Sequence, residues 1–175
     1  MTMERPPDDE FDPFYAGYVA CVSETDVLGV LAAQTDVLRA VAGTVPPDQE
    51  LRRYAPDKWS LREVFGHLTD AEWVFGYRAL CISRQDATPL PGFDEQAYVA
   101  RSSFLDRSLA DHVHLFGTLR AANLLLLRQL DAPRWRQTGN ANGSRVSVRA
   151  LAYIMAGHVR HHLTILDQRY GVSTG

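Results

Sequence analysis

Apolar residues recur at intervals of three and four along four stretches of the chain, the spacing that lines one face of an α-helix. The first stretch runs from about Thr25 to Ala42 and stops at Gly43 and the pair Pro46 and Pro47. The second opens at Ser60, where Ser-Leu-Arg-Glu places Glu63 at the third helical position of a capping box, and it reaches about Arg84. A third begins between Asp106 and Ser108 and ends near Leu130, ahead of Pro133. The fourth runs from about Ser147 to Arg169 and closes at Gly171. The long connection from Gln85 to Leu105 holds two prolines and room for one helical turn around Glu95; its length marks it as a functional loop. Before the first helix stands the aromatic segment FYAGYV, and before the fourth, Asn142-Gly143 reads as the turn of a tiny hairpin. The pattern predicts an all-α protein built as a four-helix bundle.

The fourth helix carries three histidines in AGHVRHHLTIL. At roughly 100° per residue, Leu151, Met155, Val159 and Leu166 share one stripe, with Arg149, Arg160 and Asp167 opposite. His162 falls near the middle of that stripe and His158 one turn before it, so the two stack at i and i+4 and can hold one ion together. His161 falls roughly 100° further round, toward solvent or a subunit contact. Two hydrogen-bonded core histidines give the same pattern, and a third donor separates the readings. His67 is that candidate. It borders the core stripe of the second helix, formed by Leu61, Val64, Leu68, Ala71, Phe75 and Ile82.

Axial level selects a topology. His67 lies about 10 Å from the start of the second helix and His162 about 10 Å from the end of the fourth, so the levels coincide only if these helices are antiparallel. An up-down-down-up bundle meets that condition, with the 85–105 connection as the crossover between helices two and three. The same arrangement brings His112 to a similar level, as a fourth ligand, a partner of the ligands or an ordinary core histidine.

Composition narrows the rest. With 46% hydrophobic and 22% charged residues, the chain suits one compact domain, expected over residues 11–175 after a disordered tail, 1–10. A net charge of -3 and a single lysine, Lys58, provide no basic stripe for nucleic acid. Two cysteines, Cys21 and Cys81, form neither a disulfide framework nor a Cys-x-x-Cys site. The acidic start lacks an export signal and no 18-residue apolar run occurs, so a soluble cytoplasmic protein without membrane contact is expected.

With these features in place, the sequence resembles the DinB/YfiT superfamily of metalloenzymes. The likeness covers nearly the whole chain, through FYAGYV, WSLREVFGHLTDAEWVFGYRAL, PLPGFDEQAYV and SVRALAYIMAGHVRHHLTIL. It implies a four-helix bundle that binds a divalent ion, zinc or nickel, through His67, His158 and His162, the residues the periodicity also selects. It further implies a low-molecular-weight thiol as cosubstrate, since characterised relatives include thiol-dependent transferases and isomerases. Val159 stands where many relatives carry an acidic residue directly after the first histidine of the second segment, so no acid or base role carries over to that position.

Three histidines leave an ion at least one open position, the mark of a catalytic site. The expected function is activation of a small thiol, or of water, against a small-molecule substrate; the alternative is a non-catalytic bundle that binds a metal or small ligand. Glu72 is the candidate catalytic carboxylate, because it falls within an apolar stripe where an unpaired charge is costly; a buried pair with Arg120 or Arg149 explains it equally. Asp70 is a candidate neighbour of the ligands or a surface residue. Trp59, Trp73, Trp135, Tyr77 and Tyr98 are candidates to line a pocket, and Pro89 to Val99 a lid or pocket wall. Leucines all round the third helix in LLLLRQL suggest a homodimer interface.

Overall fold

A computed structural model describes residues 4–174. In chain order the elements are α1 (Ala16–Ala20), α2 (Val27–Gly43), α3 (Leu61–Ser83), α4 (Glu95–Ala100), α5 (Leu109–Arg128), α6 (Ala132–Arg136), β1 (Thr138–Ala141), β2 (Ser144–Ser147) and α7 (Val148–Tyr170). The four long helices, α2, α3, α5 and α7, begin and end within about two residues of the sequence-based limits, the usual spread for helix ends. Their caps explain the agreement. Ser60 and Glu63 form the reciprocal capping box, Ser108 and Asp111 form another, and the Ser147 hydroxyl accepts from the Ala150 amide. Gly171, with φ 61°, closes α7 in the left-handed conformation.

The all-α expectation needs one amendment, the two-stranded sheet. Asn142 (φ 56°) and Gly143 (φ 80°) supply the paired positive angles of a tight hairpin turn, with Ala141 opposite Ser144 and Thr138 opposite Ser147. The 85–105 connection is tied to this hairpin through Leu90, whose amide donates to the Asn140 carbonyl and whose carbonyl accepts from the Asn142 amide. Met1, Thr2 and Met3 lie outside the described residues, but Asp8–Glu10 form a 3-10 turn, and buried Glu10 pairs with Arg149 and Ser147. A buried arginine has recruited a carboxylate from the tail.

Contacts follow a consistent order along the helices. On α3, Gly66, Glu72 and Gly76 meet Phe104, Arg120 and Asn123 in turn; on α2, Leu31 and Thr35 meet Arg120 and Gly117. The apolar core falls into two parts. One gathers Leu31, Phe75, Leu127, Leu151 and Ile154; the other gathers Leu38, Leu68, Phe116, Val159 and Leu166. Between them lies a polar layer. Arg120 is clamped by Glu72 through two bonds of 2.9 Å and donates to the Leu31 carbonyl and Gln34 Oε1, while Gln34 Nε2 donates to the Ala156 carbonyl. Among the described residues no helix is long and apolar enough to cross a membrane.

Candidate metal centre

The histidines meet beside this polar layer. His67 lies two turns into α3, held in phase by the Ser60 cap, while His158 and His162 stack one turn apart on α7. Their Nε2 atoms converge: His67 and His162 approach the same His158 Nε2, at 3.0 and 3.1 Å. One donor atom from each lies within 4.8 Å of the others. Nitrogens around a tetrahedral zinc at ~2.1 Å stand roughly 3.4 Å apart, so the spacing suits a cation of that size.

Burial decides protonation. It holds His67 down at about 4, with positive charge at His161 adding to the effect. It also holds His158 and His162 well below the ordinary imidazole range, helped in each case by neighbouring histidines. Neutral rings are what a cation requires, because each then offers a lone pair. Three lone pairs aimed at one point repel one another unless a proton or metal lies between them. With Nε2 directed inward, Nδ1 carries the hydrogen, and the Nδ1 atoms of His67 and His162 are buried without a partner among the described residues. The donor set and its protonation therefore fit a divalent ion.

A cavity of about 490 Å³ opens onto the three rings, a size ordinary for a small-molecule site. Tyr15, Tyr18, Trp59 and Phe75 supply its aromatic walls, and the 85–105 connection contributes Phe93 and Glu95, as expected of a pocket wall. Tyr18 reaches the site because α1 presses on α7 at Gly157, where a Cβ would overlap the Tyr18 carbonyl oxygen. Its ring lies 5.4 Å from that of His158, and Trp59 lies 4.8 Å from His67.

The structure places the other sequence candidates as follows. His161 does not face solvent freely; it is half-buried, lines the cavity and packs 5.1 Å from Tyr18, because α1 covers that face of α7. Of the aromatic candidates only Trp59 lines the cavity; Trp73, Tyr77 and Tyr98 are exposed and Trp135 is core. His112 is bonded to the Phe104 carbonyl at 3.0 Å and stays apart from the cluster. Asp70 is half-buried, and burial pushes its carboxyl up, but it is not among the cavity residues. Glu72 is also outside the cavity, its carboxylate engaged by Arg120 and by Asn123 Nδ2 at 2.8 Å. Tyr15, Tyr18, Arg78 and Ser144 line the site without having been singled out from sequence. Arg78 had a legible signal: eleven residues after His67, it returns to the same helical face.

Comparison with known proteins agrees with this architecture. The family model of the DinB superfamily matches residues 31–166. YfiT from Bacillus subtilis, described as a probable metal-dependent hydrolase with an unusual four-helix bundle topology, superposes with a TM-score of 0.75 at 17% identity, covering 98% of this chain and 95% of that one. A search of curated proteins gives no match.

Proposed function

This chain belongs to the DinB superfamily, and on that premise we propose that it is a metal-dependent enzyme in which His67, His158 and His162 hold one divalent ion, zinc or nickel, beside a small-molecule cavity. The observation that carries this reading is the convergence of three neutral Nε2 donors at the wall of an aromatic pocket. Such an ion, when bound, makes a water or thiol a nucleophile at neutral pH. The protein residues do the rest. Tyr18 and Trp59 flank the histidines and exclude bulk water, and Phe75 and Tyr15 present apolar faces to a substrate. The described cluster contains three candidate ligands, which leaves a coordination position for substrate chemistry.

The finer reading is hydrolysis or thiol S-transfer, with a low-molecular-weight thiol as cosubstrate in the latter. The likeness to YfiT, a probable metal-dependent hydrolase, favours the former. The bundle is read as up-down-down-up, supported by the matched order of contacts along α3 and α5 and the reversed order between α2 and α5. Glu72 is read as a positioning residue: through Arg120 and Gln34 it holds the Ala156 carbonyl two residues before His158. A homodimer is read from exposed apolar side chains on neighbouring helices, Trp73 and Tyr77 on α3 and Leu125 on α5. The test compares metal-loaded protein, stripped protein and His67→Ala in hydrolysis and conjugation of small electrophiles, with water and the common cellular thiols. Activity only in the loaded wild type supports the proposal; equal rates for loaded and stripped protein on every electrophile contradict it.

A further inference from the structure

Arg78 is a charge that the metal reading leaves unused. From His67 it lies three turns along the same face of α3, about 16 Å further down the axis. Its side chain lines the histidine cavity, yet the residue is only 3% exposed. Nη2 donates to the Pro91 carbonyl at 2.7 Å, and the guanidinium carbon lies 5.8 Å from the centre of the Phe75 ring. The other deeply buried arginines are neutralised, Arg120 by Glu72 and Arg149 by Glu10. Among the described residues no carboxylate oxygen lies within 4.0 Å of Arg78.

The acids of the cavity wall are placed otherwise. Asp12 accepts from the Ser144 hydroxyl and the Phe14 amide, and Glu95 is exposed in the first turn of α4. A guanidinium has five donors and cannot shed its charge, so burying it with a single carbonyl acceptor among the described residues is unfavourable. The open cavity beside it is where a counterion can enter.

We propose that Arg78 anchors a carboxylate of the substrate. A planar carboxylate matches the guanidinium fork with two parallel hydrogen bonds. Phe75 joins the two ends of the site: its ring lies 6.0 Å from that of His158 and beneath Arg78. Tyr15 packs edge-on against the same ring at 6.2 Å. The substrate class is therefore a small carboxylic acid with an apolar body that lies along Phe75 and presents its reactive group to the histidines. This rests on the cavity being the substrate site, as proposed above, but not on the ion being present.

The test uses metal-stripped full-length protein, so that a carboxylate cannot bind through the ion. Calorimetric titration compares phenylacetate and 3-phenylpropionate with their uncharged amides. The acids are expected to bind roughly tenfold or more tightly than the amides, as a charge-assisted pair replaces a neutral one. Arg78→Gln removes that preference, and Arg78→Lys restores only part of it because the fork is lost. Equal affinity for acid and amide in the wild type, or binding of neither, overturns the proposal without reference to any variant. Zinc titration of the same protein separates the two readings. Zinc uptake without acid preference contradicts only the anchor, and acid preference without zinc uptake contradicts only the metal site.

Discussion

Replacing Glu72 by glutamine keeps the size of a side chain that is 2% exposed and removes its charge, leaving Arg120, 1% exposed, without a counterion. Arg120 cannot respond by losing a proton. Its bonds to the Leu31 carbonyl and Gln34 Oε1 persist, but neither acceptor is charged. Breaking one side of a buried pair costs about 3–5 kcal/mol, a large part of the ~5–15 kcal/mol that holds a domain together. For a chain of this size the melting temperature should fall by roughly 10 °C. Urea unfolding of stripped protein, followed by circular dichroism, measures the loss without a contribution from bound metal. The double variant Glu72→Leu with Arg120→Met should recover most of it, because no unpaired charge remains. A loss below about 1 kcal/mol for Glu72→Gln would show that the pair does not bind the helices as described. Full stability with abolished turnover would instead show that Glu72 serves the site and not the packing of the helices.

Three further outcomes follow from the same geometry. The folded-state pKa of His67, about 4, lies below its ordinary value of 6.5, so the unfolded chain takes up the proton first. Stripped protein should keep its full stability above pH 6.5, and as pH falls through 4 His67 alone should account for a loss on the order of 3 kcal/mol, with His158 and His162 adding to it, read from unfolding curves across that range; a flat profile contradicts the burial of neutral imidazole. Gly157→Ala drives a methyl into the Tyr18 carbonyl and should cost about 1–3 kcal/mol while displacing α1, detected as loss of Tyr18-to-His158 ring contacts by NMR; unchanged contacts and stability refute the close approach. Leu125→Glu combined with Trp73→Glu should convert a dimer to monomer in sedimentation experiments, and a wild type that sediments as a monomer removes the dimer reading.

Local rules carried much of the structure. Ser60, Ser147 and Gly171 mark helix limits through short-range hydrogen bonds and backbone angles, and these operate the same way in any fold. The i and i+4 spacing of His158 and His162 is legible for a similar reason, and helix rise sets His67 at the level of His162 in any arrangement that runs α3 and α7 antiparallel. His161 marks where helical phase stops being enough. Phase gives a direction, but only tertiary packing reveals that α1 covers that direction with Tyr18. Glu72 marks another limit: an acid in an apolar stripe signals a partner, and the sequence offered Arg120 and Arg149 equally. The structure assigns Arg120 to Glu72 and Arg149 to Glu10, a residue the sequence placed in a disordered tail. The cavity draws on segments as distant as Asp12, Phe93 and Ser144, whose proximity no local pattern encodes.

The central claim is that three particular histidines hold one ion, and zinc titration of stripped protein against a chelating indicator tests it most directly. Wild type and His161→Ala should each take up one zinc per chain, and His67→Ala, His158→Ala and His162→Ala should each lose stoichiometric uptake while remaining folded by circular dichroism. Undiminished uptake in a folded His67→Ala protein, or equal loss in His161→Ala, would contradict the site.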